Sequence, residues 1–137
     1  MVEITNDVIP IEEVINSVRN DASGGIISYI GLIRDNSYDK KVVSVEYGDA
    51  DGSAEARLRS IVDSAKEKWP INDMAIVHRV GKLNVGDNNV VIAVSTGHRQ
   101  EGFAACQYAI DKFKEGLPTS KKETYTDGST LDYKPKG

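Results

Sequence analysis

Lysine is concentrated in one short segment of an acidic chain. The 137 residues carry a formal net charge of −4, yet the segment from Lys112 to Lys122 holds four lysines against one glutamate. Amines gathered in this way can bind a small anion or, where two of them approach each other, exchange protons. Lysines near a helix C-terminus also favour the helix dipole, and loops are usually solvated. Charge alone therefore does not distinguish a site from an ordinary surface.

Two of these lysines are placed where they can face one pocket. Lys114 follows Phe113 and lies four residues after Ile110, at the border of a predicted apolar helix stripe, so its stem can pack while its amine reaches a cleft. Lys121 comes seven residues later, past the Pro118 corner, on chain expected to be extended. A chain reversal there would bring both amines together, and one of them could act as proton donor, proton acceptor or nucleophile.

Three further cations stand at the ends of predicted strands. His98 and Arg99 lie between a strand and a helix, where free backbone N–H groups, an imidazole and a guanidinium can converge on one phosphate-like anion. Arg34 follows the apolar segment Gly25 to Ile33. It is either an ion-pair partner of Asp35 or a second guanidinium for the same anion.

Two residues of reactive type are expected to be structural. His78 shares its strand face with Ile76 and Val80, which favours a hydrogen-bonded core histidine over a catalytic one. Cys106, the only cysteine, lies on an apolar helix stripe, which is typical of a buried, inert thiol. A single cysteine forms no internal disulfide and offers no metal-ligand cluster, so no metal and no cofactor are predicted.

Apolar periodicity predicts the elements that must position these residues. Helices are predicted after Pro10, after Ser53 and from His98 to Gly116, the last with an apolar stripe of Phe103, Cys106, Ile110 and Phe113. Strands are predicted at Gly25–Ile33, Val43–Tyr47, Met74–Val80, Val90–Thr96 and Glu123–Tyr133. The first strand is expected to be buried and to pair with the second, and the third is expected to pair antiparallel with the fourth.

The resulting order, α-β-β-α-β-β-α-β, predicts a single α+β domain over residues 1–137 with a mainly antiparallel sheet. The sequence pI near 5.2 argues against a broad nucleic-acid surface. No apolar run approaches the ~20 residues of a membrane span, and the N-terminus lacks the order of a secretion signal. A cytoplasmic protein without nucleic-acid or membrane partners is therefore expected.

Four blocks of the sequence resemble the large, catalytic subunit of molybdopterin synthase. They span residues 24 to 129 and read, in order, GGIISYIGLIRD, VHRVGKLNVGD, STGHRQEGFAACQYAIDKFKEGLP and KKETYTDGS. The resemblance implies an α/β hammerhead-type domain that forms a homodimer within a heterotetramer. A small ubiquitin-like sulfur-carrier subunit with a Gly-Gly C-terminus is then expected at each end of the dimer.

The resemblance also implies a reaction. The carrier's C-terminal thiocarboxylate would enter a pocket of the large subunit and pass two sulfurs in turn to cyclic pyranopterin monophosphate, giving the dithiolene of molybdopterin. Lys114 and Lys121 match the catalytic pair of the family. Arg34, His98 and Arg99 would hold the substrate together with these lysines.

The sequence departs from the family pattern at two places. Thr119-Ser120 stands where a large apolar residue and a tryptophan are usual, which predicts a pocket wall that is looser or filled from elsewhere. The stretch from Gly48 to Ala54 lacks the acidic, aromatic and methionine residues typical of the family, which predicts a weaker dimer contact or altered carrier docking.

Two other functions use the same residues. In one, a lysine forms a Schiff base with a phosphorylated carbonyl substrate held by His98 and Arg99. In the other, the chain is a non-catalytic binding module for a ubiquitin-like tail.

Overall fold

Three helices and nine strands occur in residues 1–135, the part of the chain that the computed structural model describes. Their bounds, in chain order, are β1 Val2–Thr5, α1 Ile11–Ser17, β2 Gly25–Leu32, β3 Asn36–Ser37, β4 Lys40–Gly48, α2 Ala54–Lys68, β5 Asp73–Arg79, β6 Gly81–Asn84, β7 Asn88–Thr96, α3 Arg99–Glu115, β8 Ser120–Tyr125 and β9 Thr130–Tyr133. None of the helices found there is long and apolar enough to cross a membrane.

The central sheet has the strand order β1-β5-β7-β2. Only the β1–β5 pair in it is parallel. Strands β5 and β7 are buried on both faces, because α1 covers one face while α2, α3 and the second sheet cover the other. A strand covered on both faces needs apolar side chains at every position, which explains why these two segments read as continuous runs of branched residues.

The second sheet has the order β3-β4-β8-β9, and β6 pairs with the other edge of β4. The register places four charged residues side by side on its outer face, in the order Lys82, Glu46, Lys122 and Asp132. Their signs alternate from strand to strand. Lys122 is exposed within this row, on the opposite face of β8 from Lys121, as strand alternation predicts.

These sheets confirm the predicted α+β class with mainly antiparallel strands and the pairing of β5 with β7. The predicted pairing of the first two strands is wrong, because β2 pairs with β7, Ile30 lying opposite Val91. Strand β2 is also not buried. Ile30 and Leu32 are 39% and 57% exposed and lie on one face of β2, whereas Tyr29 and Gly31 on the other face are partly or fully buried.

Five strands differ from the sequence-based prediction. Strands β1, β3 and β6 were not predicted, since two to four residues carry too little periodicity to stand out from a loop. The single strand predicted over Glu123–Tyr133 is instead the hairpin β8–β9. Its turn contains Gly128 at φ +86°, a conformation that residues with a Cβ rarely adopt.

Helix α3 contacts the central sheet through small residues. A Cβ on Gly102 would come within 2.5 Å of the Thr96 side chain and 2.6 Å of that of Ile27, so only glycine permits this approach. The rest of the contact face includes Cys106 and Phe113, as predicted. Phe103 does not belong to it and is 61% exposed, because the helix turns its Gly102 side toward the sheet.

His78 is fully buried and hydrogen-bonded, as predicted. Its Nδ1 lies 2.7 Å from the backbone oxygen of Asn89, and its Nε2 lies 2.9 Å from Oγ1 of Thr119. A carbonyl oxygen only accepts, so Nδ1 donates and Nε2 accepts from the Thr119 hydroxyl. The rings of Tyr47 and Phe113 meet the imidazole edge-on at 4.8 and 4.9 Å. His78 therefore joins β5 to β7 and to the residue before β8.

This burial makes stability depend on pH. Desolvation lowers the pKa of His78 from 6.5 to about 4. Between these values the unfolded chain binds a proton that the folded chain does not, so the free energy of unfolding falls as pH drops through this window, by about 3 kcal/mol at most. Urea unfolding of the wild type and His78→Phe should show the wild type's advantage shrinking from pH 6.5 to 4. Parallel pH profiles for the two proteins would contradict this assignment.

Candidate active site

A cavity of about 530 Å³ opens between β2, β4, the end of α3 and the β8–β9 hairpin. An adjoining recess of about 410 Å³ shares much of its wall. The polar side chains common to both are Tyr29, Arg34, Tyr47, Asn89, Lys114, Lys121 and Glu123. Both lysines of the predicted pair therefore line one cavity, and the chain reversal between them is the turn from α3 into β8.

Lys114 reaches the cavity from the last turn of α3. The buried ring of Phe113 fixes this end of the helix in the core. The Nζ of Lys114 lies 5.7 Å from the centroid of the Tyr29 ring, within the range of a cation–π contact. Lys114 forms no ion pair with any residue of the described range. Its positive charge is therefore available to a ligand.

Lys121 enters from β8 and has a counter-charge. Its Nζ lies 3.0 Å from Oε1 of Glu123, and the Tyr125 hydroxyl donates to Oε2 at 2.7 Å. Burial by itself would raise the pKa of Glu123, but hydrogen bonds from Tyr125, Lys121 and Ser37 and the charge of Lys121 together lower it. Glu123 is thus an anion that fixes the position of Lys121.

Arg34 lines the same cavity as the two lysines, and not the recess that contains His98 and Arg99. Asp35 pairs with Lys41, at 3.7 Å, rather than with Arg34. Arg34 instead lines both the cavity and the adjoining recess. The structure thus places a guanidinium and two ammonium groups on one wall.

His98 and Arg99 lie elsewhere in the chain. They begin α3 and line a separate recess of about 410 Å³ with Gly24, Gly25, Gly97 and Gln100. Helix α3 rises about 24 Å between its first and last residues, so this recess and Lys114 are at opposite ends of the helix. Within one chain, the five predicted site residues therefore form two groups and not one.

The cavity wall includes residues that were not identified from the sequence, among them Glu123, Tyr47 and Asn89. Glu123 could have been found from strand alternation, which puts it on the same face as Lys121. Tyr47 ends a predicted strand, but its place opposite Lys121 depends on the pairing of β4 with β8. Asn89 precedes the predicted strand Val90–Thr96, whereas in the structure it lies inside β7.

Thr119 and Ser120 do not line the main cavity. The Thr119 hydroxyl donates to His78, and the Ser120 hydroxyl donates to the backbone oxygen of Gly48 at 3.2 Å. Both polar side chains are thus used in joining β8 to its neighbours. A shallow groove of about 280 Å³ lies beside Ser120.

The arrangement suits an anionic ligand and offers no metal site. Arg34, Lys114 and Lys121 present only donors, and the one carboxylate among them is occupied by Lys121 and Tyr125. Within residues 1–135 no group of three or more His, Cys, Asp or Glu side chains is placed to hold a metal ion. The cavity can therefore bind and desolvate an anion next to amines that can donate protons.

Comparison with known proteins assigns the chain to a family. The model of the family described as MoaE protein matches residues 4–116. The molybdopterin synthase catalytic subunit of Halalkalibacterium halodurans is 39% identical over 120 residues, which cover 88% of this chain and 77% of that protein. The human molybdopterin synthase catalytic subunit is 35% identical over 130 residues, covering 95% of this chain and 69% of that protein.

Solved structures agree. The crystal structure of molybdopterin synthase from Staphylococcus aureus matches with a TM-score of 0.88 and 34% identity, covering 96% of each chain. A complex of subunits 1 and 2 of molybdopterin-converting factor from Helicobacter pylori contains a chain that shares the fold at a TM-score of 0.72, with 14% identity, covering 96% of this chain and 89% of that one. On the family match and these relatives, the chain belongs to the MoaE family of molybdopterin synthase catalytic subunits.

Proposed function

We propose that this chain transfers two sulfurs, one after the other, from the C-terminal thiocarboxylate of a small carrier protein to cyclic pyranopterin monophosphate, and does so in the cytoplasm. The observation that carries the proposal is the convergence of Arg34, Lys114 and Lys121 on one cavity. A thiocarboxylate and a phosphate are both anions. Bringing them together out of water is prohibitively costly unless fixed cations compensate them.

The two lysines have different surroundings, which supports different roles. Lys121 is held by Glu123 and is suited to binding the thiocarboxylate carbonyl as a fixed ammonium. Lys114 has an aromatic ring and no carboxylate beside it, so it is suited to moving protons as sulfur adds and the phosphate ester opens. A Schiff-base role of Lys121 is less well supported, since an amine paired with a carboxylate is a poor nucleophile.

A second copy of the chain is proposed to complete the site. His98 and Arg99 are too far from Lys114 to act with it in one chain. In a two-fold dimer, however, the N-terminal end of α3 from one subunit, which carries these two residues, can approach the cavity of the other subunit. The exposed apolar residues of β2, Ile30 and Leu32, support such a contact beside the cavity. The Gly-Gly end of the carrier subunit would then enter the cavity from the side that faces away from the second copy, as in the predicted heterotetramer.

The first test is the loss of one amine. Lys121→Ala should lower dithiolene formation at least about a hundredfold, because one fixed cation at the reacting carbonyl is lost. Purified chain, thiocarboxylated carrier and cyclic pyranopterin monophosphate are mixed, and the dithiolene product is measured. Lys122→Ala is the matched control, since this lysine lies on the outer face of the same strand, and it should retain normal turnover.

Near-normal turnover of a folded Lys121→Ala protein would exclude this lysine from the mechanism. Binding of the carrier without turnover by the wild type would favour the binding-module alternative. Borohydride trapping of an adduct with a phosphorylated carbonyl compound would favour the Schiff-base alternative.

The shared site is tested by mixing variants. Arg99→Ala and Lys121→Ala homodimers should both be inactive, whereas a purified mixed dimer carries one intact site and should recover about half of the wild-type rate. The measurement is dithiolene formation by mixed dimers isolated with two affinity tags. An inactive mixed dimer would show that both residues act within one chain, whereas an active Arg99→Ala homodimer would show that Arg99 is not needed.

Glu123→Gln tests the negative charge of Glu123, because the substitution removes the charge and keeps the shape of the side chain. The amide keeps a partner for Tyr125 but removes the counter-charge of Lys121, so turnover should fall about tenfold, the size of one charge-assisted hydrogen bond.

Because the folded-state pKa of Glu123 is lowered, the wild type's extra stability over Glu123→Gln should be complete above the unfolded-state pKa of 4.5 and lost as pH falls through the folded-state pKa. Chemical unfolding at several pH values measures this, and a pH-independent difference would contradict it.

A further inference from the structure

We propose that Tyr47 is a further ligand-binding residue of this cavity, and that its hydroxyl, oriented by Asn89, donates a hydrogen bond to an oxygen of the bound anion. The proposal rests on the proposed function for the identity of the anion. That oxygen belongs either to the phosphate of the substrate or to the thiocarboxylate of the carrier tail. Both present acceptors and no donor, so the recognition chemistry is the same.

The position of Tyr47 is fixed by the sheet and by the core. On β4 it lies directly opposite Lys121 of β8, so both side chains are on the cavity side. Its ring is held edge-on against His78, at 4.8 Å between centroids, and the residue is only 4% exposed. A side chain packed in this way has little freedom left, so its hydroxyl is a preorganised group.

The hydroxyl is oriented by a hydrogen bond in which it accepts. The Nδ2 of Asn89 donates to the Tyr47 oxygen at 3.0 Å. Asn89 is itself held, because its backbone oxygen accepts from His78 and its Oδ1 is enclosed against Gly31 with no hydrogen-bond partner. The reverse amide orientation would enclose N–H groups there instead, and buried N–H groups without a partner are rarer than carbonyl oxygens without one.

The proton of the Tyr47 hydroxyl is then left for a ligand. The two oxygens of Glu123, the one carboxylate on the cavity wall, are occupied by Lys121 and Tyr125. Burial raises the pKa of Tyr47, although the hydrogen bond from Asn89 and the charge of Lys121 act in the opposite direction, so the hydroxyl keeps its proton at neutral pH. Together with Arg34 and the two lysines, the Tyr47 hydroxyl is a fourth donor among the residues that line the cavity.

Tyr47→Phe tests the proposal, because it removes the oxygen and keeps the ring against His78. A hydrogen bond to a charged acceptor corresponds to a loss of about tenfold to a hundredfold. Three quantities are measured for the wild type and the variant: dithiolene turnover, the Kd for inorganic phosphate, and the Kd for a carrier that ends in a Gly-Gly carboxylate. Thermal unfolding confirms that each variant is folded, and Lys122→Ala serves as the unaffected control.

The two Kd values identify the oxygen. A weaker Kd for phosphate alone assigns it to the substrate phosphate, and a weaker Kd for the carrier alone assigns it to the tail. A loss of turnover with both Kd values unchanged supports a hydrogen bond that forms only as the reaction proceeds. Changes below twofold in all three quantities overturn the proposal.

The orienting role of Asn89 has its own control. Asn89→Leu should weaken the same quantity as Tyr47→Phe, but by less, because the hydroxyl remains and only its direction is lost. In the double variant the loss should equal that of Tyr47→Phe alone, since Asn89 acts through Tyr47. Losses that add would show that Asn89 is merely structural.

The outcomes separate this proposal from the proposed function. If the wild type binds either probe but forms no dithiolene, the proposed function fails while the comparison of Kd values still decides the role of Tyr47. If the wild type turns over and Tyr47→Phe matches it, only the present proposal fails. A wild type that binds neither probe overturns both.

Discussion

The hydrogen bond between Thr119 and His78 ties the start of β8 to the central sheet, and the position of Lys121 depends on it. Thr119 lies two residues before Lys121, and His78 lies in the core with its other nitrogen donating to β7. The bond requires a neutral imidazole, since Nε2 must accept. The burial that keeps His78 neutral at physiological pH therefore also holds the second sheet against the first at the edge of the cavity.

The three cationic side chains of the cavity differ in whether a carboxylate neutralises them. Lys121 is neutralised by a carboxylate that is itself held by Tyr125, whereas Lys114 and Arg34 have no carboxylate partner in the described chain. A pocket with every cation paired would bind an anion weakly, and one with none paired would resist folding through mutual repulsion. The observed mixture fixes one amine and leaves two positive charges for the ligand.

Much of this arrangement could be predicted from the sequence, because it depends on local signals. The stripe around Cys106 and Phe113 and the turn at Pro118 were sufficient to place Lys114 and Lys121 near each other. The partner of β2 could not be predicted, since its apolar side chains fit either neighbour and the choice is made by long-range packing.

Sequence patterns also could not show how far apart the predicted site residues lie in the folded chain. The family resemblance groups His98 and Arg99 with the lysines, and within one chain a helix of 17 residues separates the two groups. Phe103 was assigned to the core by spacing alone, whereas Gly102 determines which side of α3 approaches the sheet. In both cases the sequence showed the chemical character of the residue but not its position in space.

The row of alternating charges on the outer face of the second sheet has a consequence for the cavity. Lys121 and Lys122 are adjacent and chemically identical, so nothing in their own structure decides which one faces inward. A slip of β8 by one residue would exchange them, and it would also remove Lys122 from its place between Glu46 and Asp132. The slip would also turn the buried side chains of Glu123 and Tyr125 outward, so the inward-facing residues of β8 and the solvent-facing charges together select which of two neighbouring amines is available for chemistry.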